Sequence, residues 1–192
     1  MTHFQRAKNG FEAAVLWLIP AWIHPNVFTV LRALLVIPVI IWKDLPPVSF
    51  TALVVSSVFD ILDGWLARKR GLVSTFGKIF DPISDKIFTL GTLCFACWDR
   101  VDSRIAWAIV IGEVLLTLIR PIQMLRKIET AASAWGSAKT WTQAIGLGCI
   151  LVHVSWFVRL SPFVLCLAIL IAGLSLFGHV RRLFVRRAPA SP

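Results

Sequence analysis

The chain has 192 residues, 57% of them hydrophobic and 16% charged, and carries a formal net charge of +10. Soluble domains average about 45–50% apolar and 25% charged residues, so this composition argues against a water-soluble globule and for an integral membrane protein. The Lys and Arg residues gather at the ends of apolar runs instead of forming a stripe with exposed aromatics. That pattern argues against nucleic acid as a partner and for positive-inside topology and anionic lipid headgroups.

Residues 1–10, with Arg6 and Lys8, read as a cytoplasmic tail. The stretch Phe11–Trp22 is shorter than the roughly 20 residues a span needs. Holding Glu12 and Pro20, it reads as a short interfacial amphipathic helix. No small-residue cleavage site follows it, so no cleavable signal peptide is expected. Pro25 and Asn26 break the chain, and Asn26 or Thr29 is expected to cap the first spanning helix, Val27–Trp42. A polar turn, Lys43–Pro47, leads to the second helix, Val48–Arg70, which Gly71 stops. The third runs Gly77–Trp98, followed by the mixed-charge loop Asp99–Arg104. The fourth covers Ile105–Lys127, and a weakly hydrophobic linker, Ile128–Gly136, precedes the fifth, Ser137–Val158. A turn at Arg159-Leu160-Ser161-Pro162 opens the sixth, Phe163–Phe184, and residues 186–192 form a basic, then disordered tail. The expected fold is an all-α integral membrane protein, a single domain over residues 1–192. It has six transmembrane helices preceded by the interfacial helix.

Orientation follows from the basic residues. One side holds Arg6, Lys8, Arg68, Lys69, Arg70, Lys78, Arg126, Lys127, Lys139 and the C-terminal arginines; the other holds Lys43, Arg100, Arg104 and Arg159. The first side, with both termini, is expected in the cytoplasm. Cys94-x-x-Cys97 has no second pair and no His partner, so small buried residues are expected there. Trp98 and Trp156 fall where an aromatic belt would lie. His3, His24, His153 and His179 show no metal spacing, and His24 and His179 are expected at the interface.

The chemistry is concentrated in Asp60-x-x-Asp63-Gly64-x-x-Ala67-Arg68, then Gly77, Asp81 and Asp85. Steps of three and four residues stack each Asp pair on one helix face. An Asp at mid-bilayer costs about 2.5–3.5 kcal/mol; four at the cytoplasmic helix ends cost less and meet water-soluble substrates. With no Cys or His beside them, they make an all-oxygen site suited to Mg²⁺ or Mn²⁺. Two divalent cations would neutralise four carboxylates and suit in-line displacement at phosphorus. Gly64 and Ala67 leave room for a bulky ligand, Gly77 opens a helix N-terminus that favours phosphate, and Arg68 can bind phosphate in a bidentate manner.

Taken together, Asp60-x2-Asp63-Gly64-x2-Ala67-Arg68-x8-Gly77-x3-Asp81-x3-Asp85 resembles the complete signature of the CDP-alcohol phosphotransferases, a family of six-helix membrane enzymes. The resemblance implies that Asp60, Asp63, Asp81 and Asp85 ligate the two cations and that Asp85 is also the general base. It implies that Asn26, Thr29, Gly64, Ala67, Arg68, Ser74 and Gly77 form the site for the CDP-linked donor, CDP-diacylglycerol. The acceptor's hydroxyl would attack the phosphorus nearer the lipid, releasing CMP. Such enzymes are commonly homodimers, and Gly91, Gly146, Gly148 and Gly173 could allow close helix contact.

The acceptor is read from other segments. Pro25, Asn26, Thr29 and Arg32, followed by Pro38, are similar to the start of phosphatidylglycerophosphate synthases and cardiolipin synthases. Glu113, Arg120, Lys139 and Thr140 resemble segments of the same subgroup. With Arg126 they are the expected site for a small phosphorylated alcohol, foremost glycerol 3-phosphate. Two cations of that pattern are missing: Gly112 precedes Glu113 where Arg is usual, and Ser137 replaces a lysine. Phosphatidylglycerol and inositol phosphate therefore stay open as acceptors. A cation transporter would spread its carboxylates along the bilayer depth, and an inactive scaffold would not retain every acidic position. The expected location is a bacterial inner membrane, with the active site facing the cytoplasm.

Overall fold

The computed structural model describes residues 17–20, 22–72, 74–125 and 134–184, which hold helices and turns but no strand. The tail 1–10, most of the interfacial helix expected over Phe11–Trp22, most of the linker Ile128–Gly136, Arg126 and the tail 186–192 lie outside the described residues. In chain order the helices are α1 (Asn26–Leu34), α2 (Val36–Ile41), α3 (Pro46–Arg70), α4 (Thr75–Gly91), α5 (Ser103–Leu125), α6 (Ala134–Leu151) and α7 (Ser155–Phe184). A widened π turn, Thr92–Cys97, and a 3₁₀ turn, Trp98–Arg100, extend α4.

Proline and glycine chemistry accounts for most boundaries. Pro38 lacks an N–H and its ring crowds the carbonyl four residues back, and the first helix is accordingly interrupted at Leu35, between α1 and α2. Prolines occupy the first turn of α3, where their missing donors cost nothing. Gly71, at φ 65°, ends α3 and returns its N–H to the Ala67 carbonyl. Ser74 caps α4, its Oγ accepting the Gly77 N–H at 2.9 Å, so this helix starts at Thr75, ahead of the expected Gly77.

Three expectations are corrected. Neither Asn26 nor Thr29 caps α1; the His24 ring does, Nδ1 accepting the Asn26 N–H at 3.2 Å. The α6–α7 turn lies at Val152–Val154, with His153 at φ 58°, and not at Arg159–Pro162. Pro162 sits inside α7, where the Val158 carbonyl that it cannot serve receives the Ser161 hydroxyl at 2.8 Å. His179 is buried instead of interfacial: its Nδ1 meets Gln123 Oε1 at 2.8 Å, while Gln123 Nε2 donates to the His179 carbonyl at 2.9 Å. That double contact pins α5 to α7.

The core gathers Val39, Leu53, Phe88, Leu93, Leu147 and Leu165 from α2, α3, α4, α6, α7 and the π turn. Small residues set the spacing. A Cβ on Gly146 would come within 2.5 Å of Leu165 Cδ2, and one on Gly91 within 2.5 Å of Val36 Cγ2, so α6–α7 and α2–α4 approach more closely than alanine permits. Gly148 packs near Leu53 and Phe50, whereas a Cβ on Gly173 would meet nothing within 4 Å among the described residues. Cys97 is buried and Cys94 partly so, both as free thiols.

Among the described residues, Pro46–Arg70 and Ser155–Leu183 are long and apolar enough to cross a bilayer. Their apolar windows are only 28% and 22% buried inside the protein. A core helix of a soluble protein would hide most of such a surface. Here Trp156, Phe163, Leu170 and Phe177 point outward from α7, as lipid-facing side chains do.

Candidate active site

α3 and α4 follow one another in the chain, and α1 packs against both. Asp60 and Asp63 come from α3, Asp81 and Asp85 from α4. All four lie towards the end of α3 that carries Arg68, Lys69 and Arg70. Arg70 secures this end by donating to the carbonyls of Ile19, Pro20 and Ile23, at 2.5, 3.2 and 2.9 Å.

Asp63 is buried, and Thr29 Oγ1 stands 3.0 Å from Asp63 Oδ2 and 3.0 Å from Asp81 Oδ1. A hydroxyl has one hydrogen, so it serves one carboxylate at a time, and the two carboxylates share one spot. Asp60 is directed elsewhere, into an ion pair with Arg32 Nη1. That guanidinium is buried, with Nε donating to Ser84 Oγ at 3.2 Å and Nη2 to the Asp81 carbonyl at 2.6 Å. Nη1 makes a charge contact with Asp60 and, among the described residues, no hydrogen bond of ordinary geometry.

Two cavities flank the cluster. One, of about 210 Å³, is lined by Asn26, Thr29, Gly64, Ala67, Arg68, Ser74 and Gly77, together with Asp63 and Asp81. Every residue that the sequence assigns to the donor thus borders one space. Asn26 and Ser74 hydrogen-bond across it at 3.3 Å, and Arg68 folds back so that a Cβ on Gly64 would lie 3.3 Å from its Nη1. The other cavity holds Asp60, Asp85, Arg32 and Thr140, walled by Trp141 and Phe88. Thr29 and Arg32, one turn apart on α1, stand between the two.

Beside Asp85 lies a buried charge network. Glu113 of α5 is 1% exposed and pairs with Lys139 of α6 at 2.5 Å and with Lys86 of α4. Lys86 Nζ also lies 3.5 Å from Asp85 Oδ2. Glu113 thus faces two ammonium groups and no open space, while Thr140 borders the cavity. The Arg120 side chain and Arg126 lie outside what is described. Sequence reasoning missed Arg32, Ser84 and Lys86 as members of this site. The signals were present: a charge in the middle of an apolar helix, and a lysine adjoining a motif aspartate.

Hard divalent cations match this all-oxygen donor set, and Asp63 and Asp81 already converge on one point. Among the described residues, however, no three acidic, His or Cys side chains enclose a common point. Arg32 draws Asp60 away from the other two.

Comparison with known proteins gives a consistent result. Residues 22–177 match the CDP-alcohol phosphatidyltransferase family. The protein named CDP-diacylglycerol–glycerol-3-phosphate 3-phosphatidyltransferase in Rickettsia typhi is 33% identical over 138 residues, spanning 67% of this chain and 75% of that protein. Its namesake in Bacillus subtilis is 32% identical over 103 residues, 52% of each chain. One in Arabidopsis thaliana is 32% identical over 144 residues, 66% of this chain and 61% of that protein.

Proposed function

The chain belongs to the CDP-alcohol phosphatidyltransferase family, and from that premise we propose that it transfers a phosphatidyl group from CDP-diacylglycerol to glycerol 3-phosphate. The products are phosphatidylglycerophosphate and CMP. One observation carries this reading most: Asn26, Thr29, Gly64, Ala67, Arg68, Ser74 and Gly77 border one cavity with Asp63 and Asp81, while Asp60 and Asp85 border a second. A transferase needs such an arrangement, with donor and acceptor on opposite sides of shared carboxylates.

On this reading the donor's cytidine and phosphates occupy the first cavity. Arg68 takes a phosphate by its planar fork, and the N-terminus of α4 at Gly77 supplies backbone dipole. Asp60, Asp63, Asp81 and Asp85 would hold one or two divalent cations, Mg²⁺ or Mn²⁺. When bound, these supply charge stabilisation at the phosphates and the departing CMP. The acceptor approaches from the Asp85 side. Asp85 takes the proton of its attacking hydroxyl, the new O–P bond forms at the phosphorus nearer the lipid, and the bond to CMP breaks. Lys86 and Lys139, held apart by Glu113, offer positive charge to the acceptor's phosphate with Thr140, Arg120 and Arg126.

The same reading has six helical spans, α1 and α2 forming the first, in a bacterial inner membrane. The carboxylates face the cytoplasm, and the protein forms a homodimer. Purified protein supplied with CDP-diacylglycerol, Mn²⁺ and a panel of acceptors tests the acceptor through CMP release. Glycerol 3-phosphate should drive release well above the acceptor-free rate. Release driven only by phosphatidylglycerol or inositol phosphate would reject this acceptor and keep the chemistry.

A further inference from the structure

Arg32 has no task in the transfer just described, yet the site is built around it. At 3% exposure in an apolar helix, an arginine persists only if its charge and its donors are answered. Two neutral acceptors on α4, Ser84 Oγ at 3.2 Å and the Asp81 carbonyl at 2.6 Å, fix two arms of the guanidinium. Ser84 Oγ in turn donates to the Thr29 carbonyl at 2.6 Å, closing the circuit one helical turn away on α1. The remaining arm meets Asp60 on α3. Three helices are joined through one side chain, whose only anionic partner among these contacts is a carboxylate of the cluster.

We propose that Arg32 is a positioning residue that acts as a built-in counter-ion, holding Asp60 and locking α1 to α3 and α4 until a divalent cation competes for that carboxylate. The inference rests on the reading that the aspartates bind a cation. It explains why Asp63 and Asp81 converge on Thr29 while Asp60 does not join them. Without a cation, the guanidinium offsets part of the mutual repulsion of Asp60, Asp63, Asp81 and Asp85. With one present, its positive charge opposes binding and sets the affinity below what bare carboxylates would give.

The test is thermal unfolding of the full chain in detergent micelles, titrated with MnCl₂. Arg32→Gln should melt below wild type without metal, and its Mn²⁺ midpoint should fall about tenfold, as expected when a like charge leaves a binding site. Arg32→Lys keeps the charge but cannot reach three partners at once, so it too should melt lower without metal. Its midpoint should stay within about twofold of wild type, because charge and not geometry opposes the cation. Wild-type values for Arg32→Gln in both measurements would overturn the role of Arg32 alone. If Arg32→Gln shows no cooperative transition without metal, Arg32→Lys decides: a metal-free Tm equal to wild type overturns the proposal, and a lowered Tm recovered with Mn²⁺ supports it. A wild-type Tm indifferent to Mn²⁺ would overturn the cation reading and this role with it.

Discussion

Asp85 works beside a positive charge, since Lys86 Nζ lies 3.5 Å from its carboxylate. Glu113 draws that ammonium towards itself, away from Asp85. Asp85→Asn removes the proton acceptor while keeping shape. CMP formation should fall about 10²–10⁴-fold, the usual contribution of a general base, with donor binding retained in a calorimetric titration. Glu113→Ala should act on stability instead, because it leaves Lys139, almost wholly buried, without its anion. A loss of about 3–5 kcal/mol is expected for a broken buried pair, read by denaturant unfolding in micelles. At Gly64, a valine would push against the Arg68 guanidinium, 3.3 Å from the added Cβ. The KM for CDP-diacylglycerol should rise several-fold, more than kcat falls.

Among the helices, the α6–α7 turn has the most demanding geometry. His153 adopts φ 58° and its Nε2 meets Arg100 Nη1, while Arg100 Nη2 reaches Asp44 at 2.6 Å, so three connections at one end are clasped together. Burial first, and the Arg100 charge second, lower the pKa of His153 from its ordinary value. The folded state therefore binds this proton less readily than the unfolded chain. The resulting stability is fully present above the ordinary histidine pKa of about 6.5 and is lost as pH falls towards the lowered folded value. Tm should drop on acidification from pH 7.5 to 5, and His153→Asn should blunt that drop. Asparagine tolerates positive φ; His153→Val should cost about 1–2 kcal/mol at any pH, because a β-branched residue is strained there. This turn also shows where sequence reasoning stops. Gly71 announces the end of α3 at Arg70 through local backbone chemistry and that end matches, whereas the start falls at Pro46, two residues ahead of the expected Val48, because prolines fit the first helical turn. Pro162 gives the same local signal, but the neighbouring Ser161 hydroxyl satisfies the freed carbonyl, and the real break falls at a histidine that carries no breaker signal. In the site, the pairing of the aspartates is legible in helical steps, whereas the expected donor residues come from resemblance to a family signature. The roles of Arg32 and Lys86 come from contacts 27 to 52 positions away along the chain, which spacing does not reveal.

The molecule as a whole turns many of its apolar side chains outward, and Asp60, Asp63, Asp81 and Asp85 lie towards the end of α3 that carries Arg68, Lys69 and Arg70. An orientation with that end in the cytoplasm follows the positive-inside rule. In a cysteine-free background, Asp44→Cys should react with an impermeant maleimide added outside spheroplasts, and Lys69→Cys only after permeabilisation; the reverse pattern would invert the topology. The shared carboxylate cluster is the centre of the account, and replacing Asp63 and Asp81 tests it most directly. In Mn²⁺-containing nanodiscs, wild-type protein should release one CMP for each phosphatidylglycerophosphate formed from CDP-diacylglycerol and glycerol 3-phosphate. Asp63→Asn and Asp81→Asn, folded by their melting curves, should release none. Variants that still turn over at the wild-type rate would contradict the account.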